Sequence, residues 1–234
     1  MAKLVFVPGL LCTDALFQPQ IDALSASHSI HIAQTTDCET IDQMVEYMLD
    51  SVSGEIIVIG LSMGGYVAQE AARIAPDRIS AIALLSTSAQ PDDEARKRQR
   101  HELIKLSEIG RFKGVTPRLL PRFLSAEALE DEAMCQTVMD MAAEIGQKHF
   151  TSQQYAIMAR RDQRPYLPSF HKPSLVLCGM ADELTPPQLS EEMAGLLPRA
   201  ELVLLDKIGH LSSLEAPEEV TQAIIRLIIR AEAG

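Results

Sequence analysis

The sequence predicts an α/β fold: a doubly wound, mostly parallel sheet of about six strands carrying an inserted helical lid. Three observations predict it. Apolar runs alternate with amphipathic ones toward both ends of the chain. The apolar runs are rich in Val, Ile and Leu and barely alternate, as parallel strands covered on both faces do. Between them lies a stretch of roughly 80 residues without a convincing strand, far more than one crossover needs.

Taken in order, the strand candidates are Leu4–Val7, Ile30–Ala33, Ile56–Ile59, Ile79–Leu85, Ser174–Cys178 and Glu201–Leu205. Helical periodicity falls between them at Ala15–Leu24, Ile41–Val52, Met63–Ile74, Gln188–Leu197 and Ala216–Ile229. Pro19 interrupts the first of these. Residues 1–89 and 172–234 therefore form one sheet-based core, and 90–171 form a helical lid with helices at Leu103–Ile109, Met134–Ile145 and Ser152–Ala159. Leu103, Leu106, Met134, Met139, Met141 and Met158 either wall an acyl pocket there or pack as helix core.

Bulk properties narrow the function classes. At 234 residues the chain suits one domain with a subdomain inserted, and 47% hydrophobic with 23% charged residues is ordinary for a globular protein. A formal charge of −11 argues against nucleic acid and anionic membrane as general partners. No apolar run approaches a membrane span, and the opening "MAKLVFVPGLLCTD" turns polar too soon for a secretory signal. Cys12, Cys38, Cys135 and Cys178 lack C-x-x-C or zinc-ligand spacing. Reduced, buried thiols in a cytoplasmic protein are the expectation; the oligomeric state is left open.

The stretch "VIGLSMGGYVAQE" carries the chemistry. A buried strand ends at Gly60, Ser62 follows, and Met63, Val67, Ala71 and Ile74 recur at helical spacing until Pro76. Strand, one-residue corner and helix are the setting in which G-x-S-x-G exposes a nucleophilic serine. A serine hydroxyl needs a base, and the base needs an orienting group. Two loops after later strands offer them. "SLVLCGMADELTPP" carries Asp182 and Glu183, and "ELVLLDKIGHLSSLEAP" carries Asp206 and His210. Loops at the carboxyl ends of parallel strands gather at one edge, so Ser62, an acid and His210 meet although distant in sequence. Met63, at the helix N-terminus, supplies one backbone N–H for an oxyanion.

The chain resembles the α/β-hydrolase superfamily over essentially its whole length. The resemblance rests on "PGLLCTDALFQPQ", "GLSMGG", "CGMADELTP" and "IGHLSSLEAPEEV", with serine, acid and histidine in that order. It implies that Asp182, three residues after Gly179, is the triad acid in preference to Glu183 and Asp206. It implies that Leu10 gives the second oxyanion N–H, with Leu11 as runner-up. Two departures stand out: Pro8-Gly9 replaces the usual His-Gly, and the chain starts at the superfamily's third strand, hence about six strands instead of eight. The resemblance further implies a serine hydrolase that cleaves small to medium carboxylic esters through an acyl-enzyme, without metal or organic cofactor. Thioesterase, lactonase and C–C bond hydrolase activities fit the same triad, as does a low-turnover ligand receptor.

One feature remains. From Arg96 to Arg122 stand nine basic residues (Arg96, Lys97, Arg98, Arg100, Lys105, Arg111, Lys113, Arg118 and Arg122) against only Glu102 and Glu108. Such a run is either a solvated helix face or an attractor for an anionic or carrier-bound ester. The pimeloyl-carrier methyl esterases, small lid-bearing hydrolases that the chain resembles, use basic lid residues in the second way.

Overall fold

The computed structural model describes residues 2–109 and 112–233. Six strands form one wholly parallel sheet: β1 Lys3–Val7, β2 Ser29–Ile32, β3 Ile56–Leu61, β4 Ile79–Leu85, β5 Ser174–Gly179 and β6 Ala200–Leu205, in the order β2-β1-β3-β4-β5-β6. The order reverses direction between β1 and β3, and at such a switch point the loops leaving the two strands part to opposite faces and open a crevice. The four central strands are almost wholly apolar and buried because both their faces are covered, with Lys3 of β1 and Ser80 of β4 partly exposed. The edge strands β2 and β6 are partly exposed along their whole length.

Successive side chains of a strand point to opposite faces, and two cores result. Leu4, Phe6, Ile57, Ile59 and Leu61 pack with Leu16, Phe17 and the apolar stripe Val220, Ile224, Leu227 and Ile228. Those last four belong to helix α8, Pro217–Glu232. On the other face Val5, Val7, Val58 and Ile82 pack with α2 (Ile41–Ser51), α3 (Met63–Ile74) and Met193 of α6 (Pro187–Leu196). The remaining core-side helices are α1, Gln18–Leu24, and a short α7, Ser212–Glu215.

The expected helix Ala15–Leu24 is divided. A 3-10 turn, Asp14–Phe17, capped by the Thr13 hydroxyl, precedes α1, with Pro19 in the first turn of α1 where its missing N–H costs nothing. Between β4 and β5 the described residues contain no strand. Helix α4, Glu94–Glu108, starts nine residues before its apolar periodicity, because Asp93 caps the Arg96 N–H at 2.7 Å and charged helix formers fill the first turns. Helix α5, Glu132–Ala159, joins two predicted helices across a kink at Gly146, whose φ of 72° breaks the spiral. These helices are not a detached layer: Val138, Met141 and Phe150 share one core with the sheet, and Ala156 and Ile157 share the other. All four cysteines are buried and free. Among the described residues no helix is long and apolar enough to cross a membrane.

Backbone clearance fixes the join of β3 to α3. A Cβ on Gly60 would overlap the backbone of Gly64 and Gly65, and one on Gly64 would overlap the carbonyls of Val7 and Pro8. Backbone cannot yield as a flexible side chain can, so both sites admit only glycine. Gly195, inside α6, has open space instead. We expect Gly64→Ala to lose about 1–3 kcal/mol or more through overpacking, lowering Tm by roughly 5–10 °C. Gly195→Ala should be neutral or stabilising by up to about 1 kcal/mol. Thermal melts of the two purified variants check the pair, and equal Tm values would contradict the clearance argument.

Candidate active site

Ser62 sits at the tip of the β3–α3 join with φ 56° and ψ −113°, a conformation side chains rarely adopt. Such backbone costs on the order of 1–3 kcal/mol and persists only where surroundings hold it. Here three hydrogen bonds do so. The Ser62 N–H donates to the Leu85 carbonyl at 2.9 Å, and its own carbonyl accepts from the Thr87 hydroxyl at 2.7 Å and the Gly65 N–H at 3.0 Å. Its hydroxyl does not cap α3. It lines a cavity of about 320 Å³ instead.

The loop after β1 packs onto this tip. The Cβ position of Gly9 would lie 3.2 Å from the Leu61 carbonyl and 3.4 Å from Ser62 Cβ. Leu10 and Leu11 line the same cavity, Leu11 with φ 60°. The Leu11 N–H is occupied: it donates to Gln153 Oε1 of α5 at 3.1 Å. The Leu10 and Met63 N–H groups have no protein acceptor among the described residues. Those two, not Leu11, are the backbone donors left available beside Ser62. Cys12 borders the cavity too, but burial pushes its thiol up to about 12, outweighing the Gly9 backbone, so it is not a thiolate at neutral pH.

The histidine and its acid come from the loops after β6 and β5. His210 Nδ1 meets Asp182 Oδ2 at 2.8 Å, both residues being under 5% exposed. Glu183 and Asp206 are exposed and make no hydrogen bond or ion pair with His210 among the described residues. Asp182 is saturated with donors: the N–H groups of Leu184 and Thr185, each at 2.9 Å, and the Thr185 hydroxyl at 2.7 Å. Burial alone would raise its pKa. The His210 charge and hydrogen bond, with those of Thr185, outweigh burial and hold it below the usual carboxylate value. An ionised Asp182 accepts from Nδ1–H, which leaves Nε2 of His210 as the free basic nitrogen. His210 and Ser62 line the same cavity, with no hydrogen bond between them among the described residues.

The segment after β4 fixes this loop. The Phe123 carbonyl accepts from the His210 and Leu211 N–H groups at 2.9 and 3.2 Å, while Glu215 Oε2 accepts from Gly209 and Ser125. Of the six apolar lid residues anticipated as a pocket wall, only Leu103 lines the cavity. Met141 is buried in the core, Met134 and Met139 pack against it, and Leu106 is two-thirds exposed. Val115, Phe123, Val138 and Ile157 take their place. Arg111 lies outside the described residues.

Three participants have no signature in the sequence. Gln153 has no exposed surface, and in α5 it stands between Ser152 and Gln154 as one polar residue among several. Thr185 is one of many threonines. Asp92 pairs with Arg100 at 2.5 Å and Arg160 at 2.9 Å, and Arg160 lies 4.3 Å over the Tyr66 ring. Burial would raise the Asp92 pKa, but the two guanidiniums hold it low. Among the described residues no three His, Cys, Asp or Glu side chains cluster as a metal site requires.

Comparison with known proteins agrees with this architecture. The family described as alpha/beta hydrolase fold matches residues 21–217. A pimeloyl-(acyl-carrier protein) methyl ester esterase from Nitrosomonas europaea is 27% identical over 233 residues, spanning 92% of this chain and 91% of that protein. A thermophilic esterase from Thermogutta terrifontis, solved with malate bound, matches at a TM-score of 0.88 and 24% identity, covering 99% of this chain and 90% of that one. An enol-lactonase from Burkholderia xenovorans LB400 matches at 0.82 and 23% identity, covering 97% and 91%. At these identities the two structural likenesses carry the fold alone.

The depressed pKa of Asp182 has a consequence for stability. A carboxylate whose folded pKa lies below its unfolded value stabilises the fold above the unfolded pKa and loses that contribution as pH falls through the folded one. The Tm gap between the protein and Asp182→Asn should therefore be full above about pH 5 and shrink below about pH 4. Thermal melts of both across the acid range test this; a gap independent of pH would contradict it.

Proposed function

Because the chain belongs to the alpha/beta hydrolase fold family, we propose that it is a serine hydrolase acting by acyl transfer on small carboxylic esters. One observation carries the reading: the 2.8 Å contact from His210 Nδ1 to Asp182 leaves Nε2 free in the cavity that Ser62 lines. His210 Nε2 takes the Ser62 proton as Oγ attacks the ester carbonyl. The oxyanion that forms is held by the Leu10 and Met63 N–H groups, each such donor being worth about 3 kcal/mol in the transition state. His210 returns the proton to the leaving alcohol, and water releases the acid from the acyl-enzyme by the reverse sequence. Asp182 fixes the tautomer and stabilises the imidazolium without taking the proton. In the same reading residues 90–171 act as a lid, supported by the contacts of Phe123 and Gln153 with the His210 and Leu11 loops.

The esterase named among the relatives favours an ester over other acyl substrates. Thioesters, lactones and C–C substrates form the remaining arms of one substrate panel. A ligand receptor on this fold would bind from the same panel without steady-state turnover. Labelling by a fluorophosphonate probe, lost in Ser62→Ala, reports the reactive serine.

We expect Ser62→Ala and His210→Ala each to lower kcat on a p-nitrophenyl ester by about 10⁴-fold or more, the double variant being little worse because the pair acts as a unit. Asp182→Asn should be severely impaired and Asp206→Asn nearly unaffected. A tenth of the original turnover in purified Ser62→Ala, or the reverse order of the two acids, overturns the assignment.

Gln153→Leu removes the acceptor of the Leu11 N–H beneath the oxyanion loop. It should lower kcat by about tenfold with KM nearly unchanged, the mark of a lost transition-state contact. A change confined to KM, or to Tm alone, would assign Gln153 to packing.

A further inference from the structure

The cavity that holds Ser62 and His210 also carries three arginines, Arg96, Arg100 and Arg122, against one carboxylate, the exposed Glu183. The three differ in what they touch. Arg100 is half-buried and engaged: Nε meets Asp92 at 2.5 Å and Nη1 donates to Gln154 at 2.7 Å. Arg96, in the first turn of α4, and Arg122, in the 3-10 turn Leu120–Arg122, have no side-chain partner among the described residues. Both are exposed, so they stand at the cavity mouth. In a chain whose formal charge is −11, two unpaired guanidiniums bordering a nucleophile's cavity are an exception to the general surface. The other described cations of the same run, Lys97, Arg98, Lys105, Lys113 and Arg118, do not line the cavity.

A guanidinium is a planar fork of N–H donors that matches a carboxylate with two parallel hydrogen bonds, and it keeps its charge at every relevant pH. Resting on the serine-hydrolase reading above, we propose that the substrate is a small ester bearing a second, free carboxylate. Arg96 and Arg122 bind that carboxylate at the mouth while the ester carbonyl lies at Ser62. The volume of about 320 Å³ sits at the low end for ligand sites, which suits a small half-ester. Glu183 adds discrimination: it repels an anion held anywhere but on the arginine side. A cationic or zwitterionic ester would gain nothing from the two guanidiniums.

The test compares matched anionic and neutral esters. On the acyl side the pair is mono-p-nitrophenyl adipate and p-nitrophenyl hexanoate; on the alcohol side it is p-carboxyphenyl hexanoate and phenyl hexanoate. The quantity read is the ratio of kcat/KM, anionic over neutral, in the unaltered protein, Arg96→Gln, Arg122→Gln, the double variant and Arg98→Gln. For at least one pair the ratio should fall about threefold in each single variant and about tenfold in the double, mostly through KM. Arg98→Gln, which changes the same charge outside the cavity, should leave the ratio where it was. Ratios unchanged in the double variant for both pairs overturn the proposal. So does an equal fall in Arg98→Gln, which would reduce the effect to the general surface field. Failure of the serine-hydrolase reading shows separately, as hydrolysis of the neutral esters that survives Ser62→Ala.

Discussion

The rest of the site depends on one steric constraint: β3 must turn into α3 within a single residue, against the loop that leaves β1. Gly60 and Gly64 give the backbone clearance for that turn, and Ser62 absorbs the strain at φ 56°. Because the strain is held by hydrogen bonds from the Ser62 backbone to the Leu85 carbonyl and the Thr87 hydroxyl, in the neighbouring strand and its loop, the Ser62 hydroxyl does not cap α3. The same close approach lays Gly9 against Leu61 and so sets Leu10 beside Ser62. Strand order, turn geometry and the position of two free N–H groups are thus one fact seen at three scales.

Electrostatics around the turn follows from how the loops are filled. Asp182 remains charged in a buried setting because the His210 charge and hydrogen bond, joined by two N–H groups and a hydroxyl, outweigh burial. Asp92 solves the same problem differently, with two arginines, one of which also stacks on Tyr66. The first arrangement leaves a basic nitrogen open to the cavity, and the second consumes its charges internally.

Much of this was legible in the sequence, and the reasons for success and failure are physical. Strands such as Ile79–Leu85 are readable because a parallel strand covered on both faces is a near-continuous apolar run, here interrupted only by Ser80 near its start. The turn from β3 to α3 is readable because clearance demands glycine on both sides of the serine. The two helices read on either side of Gly146 are present, because its φ of 72° ends helical geometry between them within α5. The start of α4 was hidden because a charged, capped first stretch has no apolar stripe to reveal it. Which lid residues reach the cavity was unreadable: periodicity reports that a side chain is apolar, not which of two apolar neighbours it meets. Gln153 escaped because a polar residue shows its purpose only once its partners, Leu11 and Thr35 far off in sequence, are beside it, and Thr185 because a threonine near an acid has no spacing of its own to mark it.

The bond from Gln153 to the Leu11 N–H ties the covering helices to the loop after β1 across a separation of 142 residues. The cover is accordingly not an interchangeable module. A lineage that replaced these helices wholesale, to acquire a different ligand, would also remove the acceptor that keeps a left-handed leucine in register beneath the serine. Inheritance of the two parts is coupled. Divergence in specificity is then easiest at the cavity mouth, among residues such as Arg96 and Leu103, and hardest one layer deeper, where a single buried amide serves both halves of the fold.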